Sequence, residues 1–179
     1  MPTPKTVRRR SAIKVAMGLL AFSLAAVVAG RVYLIITAPV ADEYTAGVTR
    51  QESAILDLVN RERARAGKSR LEFSPRLAVV ARGHSYDMAI RHYLSHASPE
   101  GAGPADRIRG VGIAYQTAGE NIYVDDYRDL ASVPERAVAR WLDSPEHREN
   151  MLSDKYTETG VGIARSSDGN TYVTQDFIR

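Results

Sequence analysis

Apolar residues along this chain fall into three regimes. From Val15 to Gly30 they are nearly continuous and free of charge, and after Arg31 the run resumes to Val40. From Thr49 to about Tyr93 they recur at helical spacing. From Thr159 to Ile178 they alternate. The first regime is long enough to matter by itself, because a bilayer core takes about twenty apolar residues as a helix. Val15 to Thr37 supplies them, with Arg31 near one end reaching toward the headgroups. Lys5, Arg8, Arg9, Arg10 and Lys14 precede the run and predict a cytoplasmic N-terminus, which sends the rest of the chain outward. A signal peptide cut near Ala29 is the alternative. It leaves the apolar residues Val32 to Ile36 at a new N-terminus without evident burial, so a retained anchor is the favoured reading. The predicted organisation is a basic tail over 1–14, a transmembrane signal-anchor over 15–37, a linker over 38–48 and a folded domain over 49–179.

In the second regime, Thr49 to Ala66 predicts an amphipathic helix with Ile55, Leu58, Val59 and Glu62 on one face, stopped at Gly67. Arg61, Arg63 and Arg65 read as a solvated face. Ser74-Pro75 predicts the start of a helix to about Tyr93, its inner series including Leu77, Val80, Ala81, His84 and Met88. Ala102 to Arg109 predicts a short helix, and Gln116 to Val124 the short strand of a loop edge. Ser132 with Glu135 fits a capping box ahead of a helix that turns Ala137, Val138 and Trp141 inward. Ser144-Pro145 starts another short helix with His147 in its first turn. Asp168-Gly169 between the alternating runs Thr159–Ser166 and Thr171–Ile178 is a hairpin signal. Helices followed by a terminal hairpin predict an α+β layered domain.

Composition changes one conclusion. The chain of 179 residues carries a formal charge of +3, but residues 1–41 hold six of its basic side chains and no acid. The remainder has 18 basic against 21 acidic residues, so the domain itself gives no warrant for nucleic-acid binding. There is no cysteine, which excludes disulfides, thiolate metal sites and a cysteine nucleophile.

The candidate chemistry rests on histidines and one glutamate. His92 and His96 have the spacing of zinc ligands on a helical turn, but Tyr93 stands where the zincin motif needs glutamate. His92 therefore reads as an exposed helix end and His84 as a hydrogen-bonded core residue. Gly83-His84-Ser85-Tyr86-Asp87 approaches a nucleophile elbow but lacks its last glycine and its strand-to-turn setting, so Ser85 is not a nucleophile. His96, Glu120 and His147 remain. One lies after a helix, one in a Gly-flanked turn, and one at a helix start. From spacing alone, a divalent-metal site and a hydrogen-bonded polar cluster in a cleft rank equally.

Ordered segments from Ile55 to Phe177 resemble the CAP superfamily (cysteine-rich secretory proteins, antigen 5 and pathogenesis-related proteins) in its bacterial, SCP-like form. These are LDLVNRERARAGKSRLEFSPRLAVVARGHSYDMA, YLSHASPEG, AGENIY, WLDSPEHRENML, TGVGIA and YVTQDF. The resemblance implies a three-layer α-β-α sandwich with a central antiparallel sheet. It also implies a cleft lined by two histidines and two acids, with His96, Glu120 and His147 as three of the four. Animal and plant members carry a further Glu after the Trp-containing helix. Here Ser144 takes that place, flanked by Asp143 and Glu146. Family members are linked to lipid binding, defence, signalling and, in a few cases, proteolysis. The expectation is a membrane-anchored extracytoplasmic binding module for a lipid, peptide, metal or cell-envelope ligand, with His96 and His147 holding a divalent ion such as zinc. Metal-assisted hydrolysis with Glu120 as general base and a scaffolding ectodomain are the alternatives. No recognisable nucleophile and a missing fourth acid favour binding over catalysis.

Overall fold

The computed structural model describes residues 24–28, 31–35, 43–126 and 129–179, with side chains from residue 49 onward. The chain divides into two units, 1–40 and 41–179. In the first, β1 (Leu24–Val28) and β2 (Arg31–Ile35) pair antiparallel, from Leu24↔Ile35 to Val28↔Arg31. The sequence predicts helix across these ten residues. They are strands instead, in keeping with the β-branched Val27, Val28, Val32 and Ile35. The rest of the predicted 15–37 span lies outside the described residues. Among the described residues no helix is long and apolar enough to cross a membrane.

The second unit is a sheet between helical layers. α1 (Glu43–Arg65) begins inside the stretch expected as linker. β3 (Glu72–Phe73) follows, then α2 (Pro75–Arg91), α3 (Pro104–Gly110) and β4 (Ala118–Asp125). A 3-10 turn (Leu130–Ser132) leads into α4 (Val133–Asp143) and α5 (Pro145–Leu152), and β5 (Glu158–Arg165) and β6 (Thr171–Ile178) close the fold. The strand order is β3-β5-β6-β4. β4, β5 and β6 are antiparallel as expected, but β3 runs parallel to β5, so the sheet is mixed. Two residues are too few to show a period of two, and both are exposed, which is why the sequence gives no signal for β3.

Strand alternation sorts the core. Val161, Ile163, Val173 and Phe177 point to one face, where Ile55 and Val59 of α1, Val138 and Trp141 of α4 and Met151 of α5 cover them. On the other face Ile178 meets Leu77 and Val80 of α2 and Ile108 of α3, while Ala164 and Tyr172 meet Met88 and Ala89. Gly160 and Gly162 share this second face. A Cβ at either would overlap the α2 backbone at Leu77–Ala78 or Ala81–Arg82, so α2 rests directly on β5.

Apart from the start of α1, the helix boundaries follow their signals and the caps do not. Gly67 ends the first helical segment with φ +70°, as a C-terminal glycine does. Ser74, Ser132 and Ser144 occupy N-cap positions before a proline in the first turn, but none makes a side-chain cap bond. The capping box expected at Ser132 is replaced: its hydroxyl bonds Asp129 and accepts from Arg136. The arginine triplet of α1 also differs from expectation. Arg63 is 1% exposed and donates to the carbonyls of Ser69, Met151 and Ser153.

Candidate functional site

The site forms where the loop after α2, strand β4 and the start of α5 meet. α2 ends at His92, which takes the left-handed conformation (φ 53°) with its N–H on the Met88 carbonyl. The chain then turns away from the helix axis. Two side chains pin the loop that follows. His84 Nε2 lies 2.9 Å from the Ser95 carbonyl, and Arg107 donates to the His96 carbonyl at 2.9 Å.

The Gly-Glu-Asn sequence of β4 explains itself residue by residue. A Cβ on Gly119 would collide with the Tyr156 hydroxyl. Glu120 lies on the α2 face with its side chain 1% exposed. One carboxylate oxygen is 2.7 Å from His96 Nδ1 and the other is 2.5 Å from an Arg107 nitrogen. Asn121 turns to the opposite face and donates to the His147 carbonyl at 3.0 Å. Asn150, one helical turn beyond His147, donates to the Glu120 carbonyl (3.1 Å) and to Asn121 Oδ1 (3.0 Å). Trp141 Nε1 donates to the next outward carbonyl, Ile122. These side chains occupy the outer edge of β4 and fix α4 and α5 against it.

His96, Glu120 and His147 therefore lie together. The rings of His96 and His147 are 6.4 Å apart and tilted by 45°. His96 is half exposed, with Nδ1 on Glu120 and Nε2 left over. The His147 pKa is lowered, first by burial and then by His96, with Glu146 opposing. It is accordingly neutral at physiological pH, with a nitrogen lone pair available. Its ring makes no hydrogen bond among the described residues. Asp143 and Glu146, the substitutes for a fourth acid, are both exposed.

The other candidates settle elsewhere. His84 is a core residue, 1% exposed, its pKa lowered chiefly by burial. Ser85 is buried between the Gly162 carbonyl and Thr174. His92 stands exposed at the helix end. Sequence reasoning missed Arg107 and Asn150. Asn150 shares a helical face with His147 at i,i+3, a readable signal. Arg107 has none, since only the fold brings α3 to β4.

Among the described residues no group of three or more His, Asp or Glu side chains is arranged around a metal position. The donor set open to an ion is the pair His96 and His147. Glu120 holds the far nitrogen of His96 as a carboxylate does behind a metal-ligating histidine. The residues thus fit a two-imidazole site, in which His96 and His147 would hold the ion and Glu120 would orient His96 rather than ligate.

Known proteins place the fold. The cysteine-rich secretory protein family (CAP) matches residues 56–177, about two-thirds of the chain. The Bacillus subtilis protein YkwD is 37% identical over 131 residues, covering 73% of this chain and 48% of that protein. The membrane protein YlbC of the same organism is 40% identical over 134 residues, covering 73% of this chain and 35% of its own length. This chain thus spans less than half the length of either relative. An extracellular SCP-domain protein of Bacillus anthracis superposes with a TM-score of 0.68 at 33% identity, over 80% of this chain and 45% of that one. With the ordered motifs, the mixed sheet between helical layers and the family match in agreement, the chain belongs to the CAP superfamily, in its bacterial form.

Proposed function

We propose that the domain is an extracytoplasmic binding module and that its ligand sits against His96 and His147. The observation that carries this reading is how Glu120 is used. Both its oxygens are engaged, by His96 and by Arg107, in a side chain almost closed to solvent. A general base needs a lone pair within reach of a water in the cleft, and Glu120 offers its lone pairs to protein donors instead. What this cluster presents outward is a buttressed imidazole beside a second, neutral one. That pair suits a divalent ion such as zinc, or a hydrogen-bonding group of a lipid, peptide or cell-envelope ligand. Bound zinc would act as a Lewis acid toward a ligand oxygen. The basic N-terminus and apolar run support a membrane anchor, as does the name of the membrane protein YlbC, and the extracellular Bacillus anthracis protein supports export of the domain.

Calorimetric titration of the full chain with zinc tests the site. His96→Ala and His147→Ala should each weaken binding at least tenfold, since losing one of two protein ligands breaks the set, by the ~1.4 kcal/mol that a factor of ten represents. His92→Ala should leave it unchanged. No binding by the parent chain would remove the metal and, with it, metal-assisted hydrolysis.

A further inference from the structure

Four buried polar atoms around the Glu120 side chain lack a hydrogen-bond partner: Nδ1 of His84, Nε of Arg107 and both carboxylate oxygens of Asp176. Asp176 is the residue that the proposed function leaves unused. It lies on β6, fully buried, opposite Glu120 of β4 on one side and Gly160 of β5 on the other. Gly160 has no side chain, and α2 closes over it. The Asp176 carboxyl therefore lies against the Glu120 carboxylate, on the same face of neighbouring strands.

Charge balance decides its state. The ionisable groups facing this pocket are His84 from α2, Arg107 from α3, Glu120 from β4 and His96 from the loop after α2. β5 contributes none. Arg107 is bonded to Glu120 and matches a single negative charge. His84 is biased toward its neutral form by burial. A second buried carboxylate would have no cation of its own, since Arg107 is already bonded to Glu120, and no donor bonded to it, an arrangement that folded proteins avoid. A proton on Asp176 removes the charge and provides the donor.

We infer that Asp176 is a positioning residue for the cleft: its carboxyl carries a proton, donates it to Glu120, and so fixes the side chain that holds His96. This rests on the reading of His96 as the group that faces the ligand. Burial and the adjacent Glu120 both push the Asp176 pKa well above the ordinary carboxylate value, with Arg107 pulling the other way. Glu120 then receives three donors, from His96, Arg107 and Asp176, and has no freedom to rotate away.

Three readouts on the full-length chain test this. Infrared difference spectra at neutral pH should show a protonated carboxylic acid in the parent that Asp176→Asn removes. Chemical denaturation should follow the linkage sign. An acid whose folded pKa exceeds its unfolded value of about 3.9 lends stability below about pH 4 and loses it as pH rises toward the folded value, by up to about tenfold in the folding constant per pH unit. Asp176→Asn keeps a donor without that loss. Its folding constant relative to the parent should therefore rise at least tenfold from about pH 4 to about pH 8. Lastly, the His96 Nδ1 proton should be protected from exchange in the parent and in Asp176→Asn. It should be lost in Asp176→Ala, which has no donor. A missing carboxylic-acid band with a flat or falling stability ratio would overturn the proposal. If Asp176→Ala does not fold, the band and the Asn variant still decide it. None of these readouts involves zinc, so a failure of zinc binding with all three intact removes the metal and leaves Asp176 in its role.

Discussion

Arg63 shows how far a single side chain can depart from its sequence setting. In the run Arg61-Glu62-Arg63-Ala64-Arg65 it reads as one of three solvated charges. It is instead buried, and burial lowers its pKa, with Asp154 opposing. Its guanidinium stays charged and bonds the Met151 and Ser153 carbonyls at the C-terminal end of α5, where helix carbonyls lack internal partners and a cation is favoured. The signal was present in the sequence: Ile55, Val59 and Arg63 stand at i, i+4 and i+8 on one stripe. Glu52 lies on the same stripe, also buried, receiving Arg82 and the Ile163 N–H at the edge of β5. Arg63→Met keeps the aliphatic volume and removes the donors. It should cost about 1–3 kcal/mol in urea denaturation, the range for stranding buried carbonyls. Arg61→Met, exposed, should change stability by less than about 0.5 kcal/mol. Equal effects would return Arg63 to the solvated face.

At the scale of elements, the contact of α2 with β5 is the join that places the site, because the loop bearing His96 hangs from the end of α2. The contact depends on the small face of Thr-Gly-Val-Gly-Ile-Ala. Gly162→Ala sets a methyl against backbone that cannot rotate aside and should destabilise the domain by about 1–3 kcal/mol or more. Gly83→Ala, in an exposed helix interior with open space at Cβ, should stabilise it by about 0.5–1 kcal/mol. Thermal unfolding of the pair checks both signs. The elements legible in advance carried redundant signals: helical stripes with a proline start, and alternation around Asp168-Gly169. β3 was illegible because two exposed residues have no period. The serine caps failed because the N-cap position is a backbone property, whereas a side-chain bond also depends on competing partners such as Asp129. Of the site, His96, Glu120 and His147 could be named from sequence, although Glu120 stands within β4 and not in the Gly-flanked turn expected, because its backbone pairs with Asp176 of β6. Arg107 and Asp176 could not be assigned to it, since their proximity to Glu120 arises only from α3 packing and the β4–β6 register.

For the whole molecule, the bilayer itself constrains how a membrane anchor over 15–37 could be built. Strands of five residues extend about 17 Å, well short of the ~30 Å hydrocarbon core. An isolated two-stranded hairpin would also leave its outer backbone groups unpaired in lipid. A helix over 15–37 reaches about 34 Å at ~1.5 Å per residue and satisfies every backbone group internally. If this segment enters a membrane, it must therefore exchange the hairpin at Leu24–Ile35 for helix. The full chain should then resist alkaline extraction from membranes, and its mature N-terminus should precede Val15. Leu20→Arg with Val27→Arg, each costing about 2.5–3.5 kcal/mol within a spanning helix, should release it to the soluble fraction. Added protease should reach residues 49–179 from the outer side only, as the five basic residues ahead of the run require. A mature chain beginning near Gly30 or Arg31 and recovered without membranes would establish a cleaved signal. The same cleft would then serve a secreted domain.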